Sequence, residues 1–253
     1  MPSISGHSIL IIGGTSGIGF AVAKLAAEQG AHVSIASSNS TRVSTAVTSL
    51  KESFPTSQIR GFTIDLSTPT VESDLATLLE SVTSSSASKL DHIVLTAGRA
   101  SMRSLPDTTR DSLLESLHLR LIVPTLLAKL APPFLKDNYT SSLTFCGGRL
   151  AARPMKGWPT ASAYAAGLDG LTRALALDLA PVRVNVVHPG ATETEMWGAT
   201  VEERRARAEV AGRTALLGKV GRPEEVGEAF VYLLRDSNVS GESVHSSGGV
   251  LVQ

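Results

Sequence analysis

The sequence predicts an α/β domain built on a doubly wound parallel sheet of about seven strands with helices on both faces. Three observations lead there. Short apolar runs alternate with longer amphipathic segments along the chain, as in repeated strand–helix–strand units whose sheet is covered on both sides. The first apolar run is followed at once by a glycine-rich stretch, GGTSGIG from Gly13 to Gly19, and then by a segment of helical character. The 253 residues contain no internal repeat and no linker, and a chain of that length buries one large core without a second module. A single domain spanning residues 1–253 is expected.

In chain order, strands are expected at Ser8 to Ile12, His32 to Ala36, Gln58 to Ile64, His92 to Leu95, Ser142 to Phe145 and Arg183 to Val187, with a last short one near Ser243. Helices fill most of the gaps, the first from Phe20 to Gln29. In two of them leucines recur at helical spacing: Leu113, Leu114, Leu117 and Leu121 in one, and Leu168, Leu171, Leu175 and Leu179 in the other. Each set makes one apolar stripe for the core. Pro124 should kink the first of these helices, because it has no N–H to donate and its ring crowds the preceding turn. The serine-rich stretch from Ser81 to Ser88 reads as a solvated connection.

Lys plus Arg total 23 and Asp plus Glu total 23, with no basic run and no aromatic-interleaved patch. Nucleic acid and anionic membrane surfaces are therefore poor candidate partners, and a small molecule is the expected one. No apolar run approaches the ~18 residues needed to span a bilayer, and MPSISGHSILIIGG lacks the pattern of a secretory leader. The lone cysteine, Cys146, excludes an internal disulfide. A cytoplasmic location is expected.

Between a strand and a helix, Gly13 to Gly19 makes a phosphate cradle. Glycines let the backbone turn tightly and approach a pyrophosphate, whose charge then sits against the unpaired N–H groups of the following helix, the Rossmann-type arrangement. Gly13, Thr15, Ser16 and Ile18 are the candidate contacts. At the end of the second strand an Asp or Glu would bind the ribose 2′-hydroxyl of NAD and repel a 2′-phosphate. Ser37, Ser38 and Asn39 stand there instead, followed by Arg42. Neutral donors and a cation suit a phosphate, so NADP(H) is the expected cofactor. The same segment can also cap the next helix.

These features are part of a longer likeness. GGTSGIG, TAG at Thr96 to Gly98, Pro189-Gly190 with Thr192 and Thr194, and GRPEEVGEAFVYLL followed by SGESVHSSGG resemble the motifs of the short-chain dehydrogenases over nearly the whole chain. The resemblance implies that Asp65 and Leu66 meet the adenine, that Ala97 and Gly98 line the adenosine, and that Gly190, Thr192 and Thr194 contact the nicotinamide carboxamide and pyrophosphate. It also implies a homodimer or homotetramer formed through two long central helices, where Ala166, Gly167 and Gly170 permit close packing.

The likeness breaks where the chemistry is expected. The stretch ASAYAAGLDGLTRALALDLAPVRVNVVHPG resembles the family's active-site helix and following strand, which would open on YxxxK. Alignment on Leu168, Leu171 and Arg173 puts Ala161 at the tyrosine and Ala165 at the lysine, with Tyr164 a displaced tyrosine. The family's serine falls on Gly147, to within one residue because the following loop is longer, and its helix asparagine on His118. Reducing a ketone creates an alkoxide that needs a proton donor. All four positions that would supply, tune or relay that proton hold other residues.

Three explanations follow. One is reduction of an already activated electrophile such as an iminium ion, which takes hydride to give a neutral amine without a proton; loss of the lysine also removes a repelling charge. Another is a cyclase or isomerase that works by proximity and shape. The third is a cofactor-binding protein without turnover. The pattern is similar to the unusual fungal short-chain dehydrogenases of prenylated indole alkaloid biosynthesis, iminium reductases and intramolecular Diels–Alderases in malbrancheamide and paraherquamide formation. The likeness is strongest in LIIGGTSGIGFAVAKL, SIASSNSTRV and VLTAGRA. It implies functional roles for Arg120 and Trp158, and it places that group's functional aspartate at Met155, whose thioether carries no charge.

His118 is thus either a packed histidine or a proton donor and substrate contact, Arg120 either a surface arginine or a functional one, and Trp158 either a loop anchor or a substrate-stacking ring. Two residues apart on a helix, His118 and Arg120 should face different ways unless Pro124 distorts the turn. Tyr164 is expected to pack or contact a subunit, and Cys146 to be a small buried residue. Glu202, Glu203, Arg204, Arg205 and Arg207 read as a solvated helical face near the substrate loop, in a segment placed to act as a lid.

Overall fold

The computed structural model describes residues 2–84, 89–98, 103–198 and 200–252. Among them, seven parallel strands form one sheet in the order β3-β2-β1-β4-β5-β6-β7, made of β1 (Ser8–Ile12), β2 (His32–Ser37), β3 (Ile59–Thr63), β4 (His92–Leu95), β5 (Ser142–Cys146), β6 (Arg183–Pro189) and β7 (Ser243–Ser246). Each lies within a residue or two of its expected place. β1 is central, with Ile9 opposite both Val33 of β2 and His92 of β4. Its residues are apolar on both faces because both faces are covered. Ile9 and Ile11 join Val22, Ala26, Phe230 and Leu234 on one side, while Leu10 and Ile12 join Leu75, Leu127, Phe145 and Leu168 on the other.

The first of these layers holds α1 (Gly17–Glu28), α2 (Ser40–Ser53) and α8 (Pro223–Arg235); the second holds α3 (Val71–Ser84), α5 (Val123–Leu130) and α6 (Pro159–Asp178). α1 begins at Gly17, earlier than the expected Phe20, so the glycine-rich stretch itself forms the first helical turn. α3 corrects the reading of Ser81 to Ser88 as a connection, since helix continues through Ser84. Ser81 and Thr83 turn their hydroxyls back onto the Thr77 and Leu79 carbonyls at 2.7 and 2.8 Å, and Val82 is fully buried. Side chains that satisfy their own helix, with one apolar anchor among them, keep a serine-rich segment helical. Residues 85–88 lie outside the described residues.

Pro124 distorts its helix by widening it. α4 (Arg110–Leu117) runs into a π-helical turn at His118–Ile122 before α5 begins. The Val123 N–H reaches the His118 carbonyl, five residues back. Pro124 has no N–H for the Arg120 carbonyl four residues earlier, and the wide turn absorbs that loss. Among the described residues no helix is long and apolar enough to cross a membrane.

Candidate active site

The strand order reverses between β1 and β4, and the C-terminal ends of the strands there open the crevice where doubly wound sheets take their ligands. Gly13 sits at φ +96°, and a Cβ on it would lie 2.5 Å from the Ala97 nitrogen. A Cβ on Gly19 would overlap the Gly13 carbonyl oxygen and Thr96 Oγ1. Gly17, at φ +51°, is covered by Thr194, whose Cγ2 would be 3.0 Å from an added Cβ. The fold therefore brings together three of the segments singled out in the sequence: Gly13 to Gly19, Thr96 to Gly98, and Thr194. Thr96 and Ala97 are fixed to β1 by N–H bonds to the Ile12 carbonyl at 2.9 and 3.0 Å.

Ser16 precedes α1 with an extended backbone, its hydroxyl caps nothing, and no acidic residue lies in the first turn. The start of α1 thus offers its amides to an anion without competition from its own side chains. Thr15 is half-buried beside it, and Ile18 turns its side chain into the core and leaves only its backbone for a ligand. Gly190 lies where a Cβ would be 2.7 Å from the Ser247 Cα, and Thr192 is buried with its hydroxyl on the Gly190 carbonyl at 3.2 Å. The Gly190 N–H, on the Ser246 carbonyl at 2.9 Å, holds the turn after β6 against the end of β7.

At the end of β2, Ser37 is half-buried and Ser38 and Asn39 are exposed. Asn39 Oδ1 accepts the Arg42 N–H at 2.8 Å and caps α2, as the segment's composition allows, leaving its amide N–H groups outward. The first turn of α2 carries Arg42 and no acidic residue, the reverse of what a helix dipole favours, so an anion at this corner would relieve both. Across the crevice Asp65 is exposed, and the Ser67 hydroxyl and N–H on its carboxylate hold its pKa below the usual value. The residues present thus fit a dinucleotide with an extra phosphate: a cradle no side chain could share, an uncapped helix start, and an arginine at the ribose corner.

The chemical end contains no proton donor at the expected places. Ala161 and Ala165 lie half-buried one turn apart on α6. Arg120 projects from the π turn across Gly98, its Nη1 3.6 Å from where a Cβ on that glycine would stand, and lines a small recess with Ala97, Pro124, Phe145, Cys146 and Leu168. Burial lowers the Arg120 pKa, with the neighbouring Cys146 partly offsetting that. The guanidinium remains a cation at neutral pH. Burial pushes the Cys146 thiol up to about 11, which fits an inert, half-buried thiol on the recess wall.

His118 and Arg120 do part company: His118 Nε2 donates to the Leu66 carbonyl at 2.8 Å and so reaches the adenosine side of the crevice. Trp158 precedes α6, half-buried. Met155, in the loop leading to it, accepts from Arg149 Nη2 at 3.0 Å. The displaced Tyr164 donates to the Leu113 carbonyl at 2.9 Å and ties α6 to α4. Burial raises its pKa.

Beyond the turn after β6, α7 (Val201–Gly212) starts with a capping box in which Thr200 and Glu203 bond each other's backbone N–H. Arg204 reaches the Gly198 carbonyl at 3.1 Å, so part of the charged face is committed to fixing the helix start. A cavity of about 210 Å³ lies among Arg149, Ala191, Thr214, Leu217, Ser247 and Val250.

One residue of the site escaped the sequence reading. His188, directly before Pro189-Gly190, is fully buried in β6 and hydrogen-bonds Asp169 at 2.6 Å. A Cβ on Gly147 would overlap its Nδ1 and lie 2.5 Å from its Cε1. The space a side chain at Gly147 would need is thus taken by an imidazole from the neighbouring strand. The double glycine after β5 was the available signal, and without the register of β5 against β6 nothing linked it to a histidine forty-one residues on.

Comparison with known proteins agrees with this architecture. The family model for the SDR-like Rossmann domain matches residues 3–253. The short-chain dehydrogenase/reductase ATR9 of Stachybotrys chlorohalonatus (strain IBT 40285) is 47% identical, covering 100% of both chains. The short-chain dehydrogenase/reductase malC of Malbranchea aurantiaca is 36% identical over 99% of this chain and 96% of that protein. The solved structure of the MalC reductase/Diels-Alderase from Malbranchea aurantiaca superposes with a TM-score of 0.92, covering 99% of this chain and 97% of that one at 36% identity. An NADPH-bound short-chain oxidoreductase from Pseudomonas aeruginosa PAO1 with an atypical catalytic center, 25% identical, superposes with a TM-score of 0.91 over 99% of this chain and 98% of that one. From its first strand to its last, this chain belongs to the short-chain dehydrogenase/reductase family.

Proposed function

We propose that this protein is an NADP(H)-dependent reductase of a hydrophobic electrophile whose reduction takes no proton from the protein, an iminium ion above all, within fungal indole-alkaloid-type secondary metabolism. The observation that carries this reading is the pairing of an unobstructed phosphate cradle at Gly13, Gly17 and Gly19 with alanines at both places where the family's proton donor and its lysine would stand. When bound, the cofactor supplies the hydride. Gly13, Thr15, Ser16 and Ile18 would hold its pyrophosphate; Ser37, Ser38, Asn39 and Arg42 its 2′-phosphate; Asp65, Leu66, Ala97 and Gly98 its adenosine; Gly190, Thr192 and Thr194 its nicotinamide end. The likeness to the MalC reductase/Diels-Alderase, and to an NADPH-bound relative with an atypical center, supports the same assignment.

Arg120 constrains the pose. A guanidinium opposes a cationic carbon placed near it and favours a carbonyl oxygen. The electron-poor carbon therefore lies toward Ala161 and Ala165, with a substrate carbonyl on Arg120 and an aromatic portion against Trp158, where cation–π attraction also favours an iminium. His118, bonded to Leu66, positions the adenosine wall and takes no part in proton transfer. A second reading rests on the same arrangement: a carbonyl polarised by Arg120 in a fitted pocket also promotes an intramolecular [4+2] closure, the chemistry named for the MalC relative. The working unit is a homodimer or homotetramer packed through α6, where an added Cβ on Gly170 meets nothing within 4 Å of its own chain.

The test of this reading pairs two apolar probes of one size, 2-methyl-3,4-dihydroisoquinolinium and 1-tetralone, with NADPH deuterated at C4. Deuterium should enter the amine and not an alcohol. Bound NADPH without label in either product would favour a binding protein without turnover. The cofactor assignment has its own check: Ser38→Asp should weaken NADPH binding by about tenfold or more while changing NADH binding far less, by like-charge repulsion at the 2′-phosphate. Equal effects in fluorescence titrations of the two would refute it.

A further inference from the structure

The four groups around His188 form a directed chain. Asp169, on α6, accepts at one carboxylate oxygen from His188 Nε2 at 2.6 Å and from the Ser243 hydroxyl at 2.7 Å. A carboxylate only accepts, so Nε2 carries a proton toward Asp169. Nδ1 faces the turn after β5, 2.9 Å from the Gly148 nitrogen and 3.0 Å from the Gly148 carbonyl oxygen, so it lies against both polar groups of that residue's backbone. His245 of β7 stacks on the other side of the ring at 5.0 Å between centroids. His188 itself does not touch a substrate in the cleft, since its side chain is completely buried. Their common effect is on the backbone of residues 147 and 148, which leads directly to Arg149 and the loop bearing Met155 and Trp158.

We propose that His188 is a positioning residue for the reaction site: held by Asp169, its ring occupies the space a side chain at Gly147 would need, and its Nδ1 holds the Gly148 peptide. The turn carries a bare backbone clamped from behind, and a side chain at 147 and the imidazole of His188 exclude one another. This rests on the reading that the turn borders the substrate, and goes beyond it by naming what sets the turn's geometry.

The experiment is a mutant cycle on the NADPH-bound full-length protein. It compares wild type, Gly147→Ser, His188→Ala, the double variant and His188→Asn, whose amide oxygen can stand near the place of Nδ1. His188→Ala should speed hydrogen exchange at the Gly148 amide by about tenfold or more and leave the β5 amides unchanged. With the dihydroisoquinolinium probe, kcat should fall by roughly 10- to 100-fold while the KM for NADPH stays within about threefold, as for a displaced binding wall. Gly147→Ser should lower the melting temperature sharply, and adding His188→Ala should restore it. His188→Asn should recover the Gly148 protection. The proposal is overturned if Gly147→Ser is as stable as wild type, if the double variant is no more stable than Gly147→Ser, or if His188→Ala leaves both Gly148 exchange and kcat unchanged. Exchange and melting need no substrate, so they decide the proposal even if wild type reduces neither probe.

Discussion

Gly19→Ala should cost about 2 kcal/mol of stability or more and weaken NADPH binding by well over about tenfold, although alanine in an open helix is worth ~1 kcal/mol in the other direction. The sign reverses because the new methyl group has nowhere to go. Gly19 is buried in the first turns of α1, and a Cβ there would overlap the Gly13 carbonyl oxygen and Thr96 Oγ1 and lie 2.8 Å from the Gly13 carbonyl carbon. None of these can yield cheaply: the Gly13 N–H is bonded to the Ala36 carbonyl at 2.8 Å, and Thr96 is anchored on the Ile12 carbonyl. The helix start must therefore lift away, and the amides meant for the pyrophosphate lift with it. Urea unfolding and a fluorescence titration read the two effects separately. A variant that binds NADPH as wild type does would contradict the cradle assignment.

The second large effect is expected at Arg120. Arg120→Met keeps the length of the side chain among Pro124, Phe145, Cys146 and Leu168 and removes its charge and donors. Deleting one preorganised donor to a reacting carbonyl typically costs ~10²-fold in turnover. On a carboxamide-bearing dihydroisoquinolinium, kcat/KM should fall by about that factor, while NADPH affinity stays within about threefold. The parent probe, with no carbonyl for Arg120 to hold, should be affected far less. Arg120→Lys should not restore the loss, because a point charge lacks the planar fork of donors. An equal effect on both probes would place Arg120 in packing or cofactor binding.

The middle of the sheet was legible in the sequence because β1 and β4 are largely apolar runs buried on both faces, and the phosphate cradle because Gly13 and Gly19 leave no room for a side chain on either. β1 and β4 were readable to the residue for that reason. What could not be read depended on neighbours distant in the chain. Ser81 to Ser84 look like a loop by composition, yet the Ser81 and Thr83 hydroxyls return to their own helix and Val82 anchors it. Pro124 signalled a distortion, but whether it would bend or widen the helix depended on where the Arg120 carbonyl found relief. Asn39 carries two readings, cap and phosphate contact, and the fold uses its oxygen for the first. His188 had no local signal at all, since its meaning comes from Gly147 on the adjacent strand and Asp169 across the layer.

The central claim is that hydride transfer survives here without a proton donor from the protein. Single-turnover reduction of the dihydroisoquinolinium, followed with NADPH and its C4-deuterated form in water and in heavy water, tests it most directly. The account predicts a primary isotope effect of about 2 or more on the chemical step together with a solvent isotope effect near unity, because no proton moves in that step. A solvent effect as large as the primary one, or reduction of 1-tetralone at a comparable rate, would show that the chain still carries a proton donor and would contradict it.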